Sequence, residues 1–305
     1  MERQTIEMAA DGCAALAPAT AETAPAGRGA ATGALLCLIS ICCAQFGSAL
    51  TAPLIADYGV AGASLLRLAV AAIMLVLVTR PPIFSYSRSQ WLGAILLGIT
   101  TAGMTLCFFA AIRLLPLGLA VAIDFLGPLS VAVIGYGIGW RLVWPLIAGA
   151  GVLFLSFDGE QWVGNLTGVL FSVGSGVCWA IYIVLTKKVG AAFKGLEGLA
   201  MSMLVAALVS LPFGIADAAP ALSSSALAYV LGLAVLTPLL PYALEMVALR
   251  RMPASSFGIL MSLEPAIAAV AGFLILSQPM TTLQMAGTAL VVLASLGASM
   301  SPKGA

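Results

Sequence analysis

Four ionisable side chains fall well inside long apolar stretches of this sequence: Arg67, Asp124, Glu245 and Glu264. A charged group at bilayer depth is costly, and such residues are functional candidates by default. Their chemistry would be non-covalent: binding an ammonium or a carboxylate, carrying a proton, or pairing with one another. Glu264 lies about eleven residues into the stretch Pro253–Leu276 and is followed by Pro265. It can bind an ammonium group, carry a proton or pair with a base; the alternative is a protonated acid that only locks two helices together. A structural or gating role is favoured for it. Asp124, eight residues past Pro116, is a candidate for direct contact with substrate or proton. Glu245 stands five residues before Arg250, where a snorkelling salt bridge or an inner gate competes evenly with substrate contact. Arg67 suits a local pair with Asp124 or Glu264, with a ligand carboxylate as the alternative.

Uncharged polar residues extend this set. Gln45, Ser48 and Thr51 recur every three residues and share a helix face, as do Trp179 and Tyr182. Tyr242, Thr100, Thr101 and Thr105 add hydroxyls. The substrate-binding candidates are therefore Gln45, Ser48, Thr100, Thr101, Asp124, Trp179, Tyr182 and Tyr242, and the gating or proton-coupling candidates are Glu264, Glu245 and Arg67. For the two aromatics in the sixth stretch, packing against lipid is the competing expectation.

Covalent catalysis finds no residues to use. Histidine is absent, so no Ser/His/Asp or Cys/His set is possible, and no metal-ligand spacing occurs. Five of the six cysteines lie in apolar runs and read as small packing residues. No GxxxxGK[ST] phosphate loop is present, so neither ATP nor any other cofactor is expected, and a net charge of +1 gives no reason to expect a nucleic-acid partner.

The chain that must position these groups is 62% hydrophobic and 8% charged, with a mean hydropathy of +1.12. A soluble domain of this size would need far more surface charge, so this is an integral membrane protein. Residues 1–28 form an acidic, Ala- and Pro-containing tail expected to be disordered. Ten apolar runs follow, at 30–52, 60–79, 91–112, 115–136, 142–157, 164–186, 196–215, 226–249, 253–276 and 281–300. Most have the length a helix needs to cross a bilayer. With the N-terminus inside, eleven of the thirteen Lys and Arg residues face the cytoplasm, which places both termini there. Asp57, Asp158, Glu160 and Asp217 then fall in outer loops. Gly168, Ser172 and Gly176, spaced by four, read as a close-packing face. The run Thr237-Pro238-Leu239-Leu240-Pro241 predicts a bend in the eighth span that can serve as a hinge.

The sequence also repeats itself. Shifted by 137 residues, AAIRLLPLGLAVAIDFLGP (110–128) lies over VALRRMPASSFGILMSLEP (247–265). Arg113 meets Arg250, Pro116 meets Pro253, Pro128 meets Pro265 and Thr100 meets Thr237. With a one-residue gap, Gly149 meets Gly287. Two halves of five spans follow, 29–158 and 159–300, with a short tail at 301–305. Five is odd, so the second half is inverted, the mark of a secondary transporter with its site at the repeat interface. Pro116, Pro128, Pro238, Pro241, Pro253 and Pro265 are the expected helix bends. In register Asp124 meets Met261, not Glu264. The shared prolines are thus the architectural element, and Glu264 makes the halves unequal, a candidate for gate or coupling more than for recognition.

The stretch SLEPAIAAVAGFLILSQPMTTLQMAGTALVVLAS resembles the C-terminal signature of EamA-domain proteins in the drug/metabolite transporter superfamily. The stretch PLGLAVAIDFLGPLSVAVIG resembles the first-half counterpart in bacterial threonine/homoserine exporters and YddG-type aromatic amino-acid exporters. The resemblance spans about 30–300. It implies an all-α fold of ten transmembrane helices in two inverted five-helix repeats around a central cavity, with the fifth and tenth spans peripheral. It also implies export of amino acids or related metabolites across the inner membrane. The expected partners are a small-molecule substrate, the lipid bilayer and, for coupling, protons; a monomer and a homodimer are both open. Export of drugs or other metabolites is the rival within transport. A non-transporting receptor or scaffold is the rival outside it, and the inverted repeat argues against that one.

Overall fold

The computed structural model describes residues 28–136, 143–158, 161–162, 164–223, 226–249, 251 and 260–300. Twelve helices are seen among them: α1 (Arg28–Leu50), α2 (Ala52–Thr79), α3 (Arg88–Leu114), α4 (Leu117–Asp124), α5 (Leu126–Tyr136), α6 (Val143–Leu155), α7 (Leu166–Ala192), α8 (Glu197–Ala218), α9 (Ala226–Ala234), α10 (Leu240–Leu249), α11 (Glu264–Leu276) and α12 (Thr282–Met300). A two-residue antiparallel pair, with Phe157 opposite Trp162 and Asp158 opposite Gln161, joins α6 towards α7. Six helical segments are long and apolar enough to cross a membrane, and four shorter apolar helices accompany them. Large aliphatic and aromatic side chains such as Leu77, Phe84, Leu146, Leu166 and Leu274 point outward, which suits a lipid surface.

Most boundaries follow local chemistry. Ser87 caps α3 by accepting from the Gln90 N–H, while the Gln90 side chain accepts from the Ser87 N–H. This is a capping box that satisfies two orphan donors. Arg80 closes α2 in the left-handed conformation (φ 46°), its N–H donating to the Val76 carbonyl, and Pro81-Pro82 prevents continuation. Ser277 closes α11 the same way at φ 53°.

Several boundaries differ from the sequence expectation. The sixth span runs on past Lys187-Lys188 to Ala192, and the seventh runs to Ala218, so Asp217 is helical, not in a loop. The second span begins at Ala52 rather than at 60, because Pro53 starts a helical turn that Gly59 (φ 66°, ψ 172°) then kinks; Asp57 is therefore helical, not in a loop. The fourth run is two helices, interrupted at Phe125 between α4 and α5. The eighth is also two, separated by the wide turn Val235–Leu239, in which Thr237 is extended (φ −162°, ψ 122°). Pro128 and Pro241 sit just past these two breaks, where each lacks the N–H that a helix would return to residue i−4. Pro116 and Pro265 instead open α4 and α11. Pro253 lies outside the described residues.

Helices in lipid gain little from apolar burial against one another, so close approach at small residues does the work. Gly151 of α6 and Gly287 of α12 face each other's carbonyl oxygens, so that an added Cβ would stand 2.7 and 2.6 Å away. Gly149 meets open space, so its match with Gly287 is not a shared packing role. Gly168 and Gly176 of α7 abut Leu115 and the Asp124 carbonyl, and Ser172 between them is buried, which is the close-packed face read from the spacing. The principal helix contacts are α2 with α8, α3 with α7, α6 with α12, α3 with α8, α1 with α10, and α4 with α11.

Candidate functional site

A cavity of about 130 Å³ lies between α1, α2, α3, α4, α7, the α9–α10 break and α11. It gathers Gln45, Ser48, Arg67, Asp124, Trp179, Tyr182, Pro238, Pro241, Tyr242, Glu245 and Glu264 from spans far apart in sequence. The volume is many times what one water needs and matches the scale of a compact organic solute.

Arg67 is 3% exposed and its position has a backbone cause. Pro241 has no N–H to give to the carbonyl of Thr237, four residues earlier. Arg67 of α2 supplies the missing donors: Nε and Nη2 donate to that carbonyl at 3.0 and 2.6 Å, and Nη2 donates to Thr237 Oγ1 at 2.9 Å. The guanidinium also lies 4.5 Å from the Phe109 ring centroid, a favourable cation–π placement. The expected carboxylate pairing of Arg67 is thus replaced by a bond to the broken eighth span, and Nη1 is left without a partner among the described residues.

The acids occupy helix breaks. Asp124, 6% exposed, ends α4, and Glu264, 4% exposed, opens α11. Asp124 Oδ1 and Glu264 Oε2 are buried without a hydrogen-bond partner among the described residues. Ser175 stands beside Asp124 and donates to the Met104 carbonyl at 3.2 Å. Glu245 is half-buried and accepts from Ser40 Oγ at 2.9 Å; the same hydroxyl also reaches the Pro241 carbonyl at 3.2 Å. The expected partner of Glu245, Arg250, lies outside the described residues. Tyr182 and Tyr242 have ring centroids 5.5 Å apart, and Trp179 packs edge-on against Phe125 at 5.8 Å, so these aromatics point inward rather than to lipid.

Thr100 and Thr101 are not brought to the cavity. Each hydroxyl donates to its own helix, Thr100 to the Leu96 carbonyl and Thr101 to the Leu97 carbonyl, both at 2.8 Å. Thr105, one turn on, does reach the lining. The sequence reading missed Met104, Phe108, Phe109, Ser175 and Ser40. A signal existed for some: under the 137-residue shift, Gln45 falls on Tyr182, Met104 on Pro241, Thr105 on Tyr242 and Phe108 on Glu245. Both members of all four pairs line the cavity.

Residues 166–300 match the EamA-like transporter family. The threonine/homoserine exporter RhtA of Salmonella typhimurium (strain SL1344) is 36% identical over 269 residues, covering 88% of this chain and 91% of that protein. The chain belongs to the EamA-like transporter family. RhtA of Escherichia coli (strain K12), another threonine/homoserine exporter, is 35% identical over the same coverage. A solved crystal structure shares the fold with a TM-score of 0.58 at 14% identity, covering 88% of this chain and 96% of the other. This EamA-like protein is therefore a membrane transporter, not an enzyme. Its central cavity offers charge, hydrogen-bond capacity and shape.

Proposed function

We propose that this transporter exports neutral amino acids, threonine and homoserine foremost, and related metabolites across the bacterial inner membrane by alternating access. The observation that carries the reading is the cavity itself: buried, unpartnered donor and acceptor groups sit beside a Tyr–Tyr pair at the meeting point of broken helices. Discontinuous helices around a central site are how secondary transporters present backbone and side-chain polar groups to a solute within the bilayer. The similarity to threonine/homoserine exporters supports the substrate class.

Ten spans in two inverted halves account for the architecture: the six long segments, with α4–α5, α6, α11 and α12 belonging to the other four. The helix contacts support this arrangement. Exchanging each span for its counterpart five places on leaves the second–seventh, fourth–ninth and fifth–tenth pairings (α2–α8, α4–α11, α6–α12) unchanged. The same exchange converts the third–sixth pairing (α3–α7) into the eighth–first (α10–α1). Both termini are assigned to the cytoplasm by the distribution of basic residues. Transport draws on the substrate gradient or on protons, with Asp124, Glu245 and Glu264 as the proton-carrying candidates. No ATP is used, and the cavity lies within one chain, so a monomer suffices.

Purified full-length protein in liposomes, presented with a panel of radiolabelled amino acids, tests this. Uptake of threonine or homoserine several-fold above protein-free liposomes is expected. Absence of flux for every amino acid in the panel would remove the substrate assignment.

A further inference from the structure

Buried polar atoms in folded proteins are nearly always paired. Those left open in one cavity therefore describe what the cavity is shaped to hold. Among the described residues four such atoms belong to lining side chains: one donor, Arg67 Nη1, and three acceptors, Gln45 Oε1, Asp124 Oδ1 and Glu264 Oε2. A zwitterionic α-amino acid carries the complementary set. Its carboxylate only accepts, and its ammonium has three N–H groups and no acceptor.

Arg67 is suited to one end of such a solute. Its other hydrogen-bonding nitrogens, Nε and Nη2, are engaged by Thr237, and its face rests on Phe109. The side chain is therefore held in place before any substrate arrives, and little further ordering accompanies binding. The acceptors come from three different elements, α1, α4 and α11. We propose that Arg67 Nη1 receives the α-carboxylate of the substrate, and that Asp124 and Glu264, with the Gln45 amide oxygen, receive its α-ammonium. Arg67 is then a specificity-determining residue as well as the support of the broken eighth span. The substrate class narrows to solutes bearing both a free carboxylate and a free amine, with the side chain left to the aromatic and hydroxyl lining. The assignment rests on the amino-acid reading above and deepens it.

The test compares substrate groups with protein groups. Proteoliposomes take up labelled L-threonine while unlabelled L-threonine, L-threoninamide (no carboxylate) or N-acetyl-L-threonine (no ammonium) competes. In the wild type each analogue should inhibit on the order of tenfold to hundredfold more weakly than threonine, the scale of one charge-assisted hydrogen bond. Arg67→Gln should collapse the threonine-to-threoninamide ratio towards one while leaving the ratio to N-acetylthreonine; Asp124→Asn should do the reverse. Arg67→Lys, which keeps a cation able to donate to Thr237, should give an intermediate ratio and serves if the glutamine variant does not fold. Threoninamide competing as well as threonine in the wild type would overturn the assignment without any variant. So would an unchanged threoninamide ratio in both Arg67 variants. Failure of the wild type to transport any amino acid in the panel would instead overturn the reading on which the assignment rests.

Discussion

The Thr237 carbonyl shows how a single backbone atom sets up this site. Pro241 denies it a helical donor, and the guanidinium that takes its place is the buried cation of the cavity lining. Glu264 Oε2 has no partner among the described residues, and its position at the start of α11 keeps it apart from Asp124 in the repeat register. Glu264→Gln is expected to weaken exchange of substrate for substrate on the order of tenfold, as the loss of one charged ammonium acceptor, and to abolish its dependence on an imposed pH gradient, measured in proteoliposomes. Retention of the full pH dependence would remove Glu264 from coupling. Backbone contact is as decisive as charge. A Cβ on Gly127 would collide with the Gly176 carbonyl oxygen, whereas Gly149 meets open space in α6. Gly127→Ala should lower the melting temperature of the purified protein substantially and abolish transport. Gly149→Ala should leave both unchanged or raise stability by up to about 1 kcal/mol, the helix-propensity gain of alanine over glycine.

At the scale of elements, the breaks at Phe125 and Val235–Leu239 bring Asp124 and Thr237 to the cavity lining. Pro241→Ala restores an N–H four residues after Thr237, so the eighth span can close its hydrogen-bond ladder and dispense with Arg67. The expected outcome is a melting temperature equal to or above wild type, with threonine flux reduced about tenfold or more; undiminished flux would show that the break is not a hinge. The capping box of α3 is exposed and away from the cavity. Ser87→Ala should destabilise by about 1 kcal/mol, seen in thermal denaturation, without changing substrate preference. Much at this level was legible in the sequence. Apolar run length located the six long apolar segments, and the proline spacing pointed to the bend at 237–241. Pro128 pointed to a bend in the fourth run, but not to its place at Phe125, because a proline disturbs the turn before it rather than its own position. Nor was the bonding of the Thr100 and Thr101 hydroxyls to their own helix legible, since a threonine in a span reads the same whether it faces a cavity or bonds to residue i−4. Phe108 and Phe109 carried no polar signal and could be found only through the repeat register or the fold.

Across the whole molecule, the two halves are alike in packing and unlike in charge. Helix pairings exchange under the repeat, and four lining pairs do so as well, yet Gln45 faces Tyr182 and Phe108 faces Glu245 in that exchange. In the proposed alternating-access cycle, a symmetric scaffold would supply two equivalent ways of opening, and an asymmetric lining would give the solute a preferred orientation. The orientation of the chain can be checked directly. A single cysteine at 303, in a background with the native cysteines replaced, should react with a membrane-impermeant thiol reagent only from the cytoplasmic side, and one at 57 only from outside. The opposite pattern would reverse the topology. The central claim, a single amino-acid site exposed alternately to the two faces, is tested most directly by counterflow. Proteoliposomes loaded with excess unlabelled threonine are diluted into trace labelled threonine. The account predicts a transient accumulation of label above equilibrium, reached at markedly higher threonine concentration in Asp124→Asn. Label that only approaches equilibrium, at the same rate in loaded and empty proteoliposomes, would contradict it.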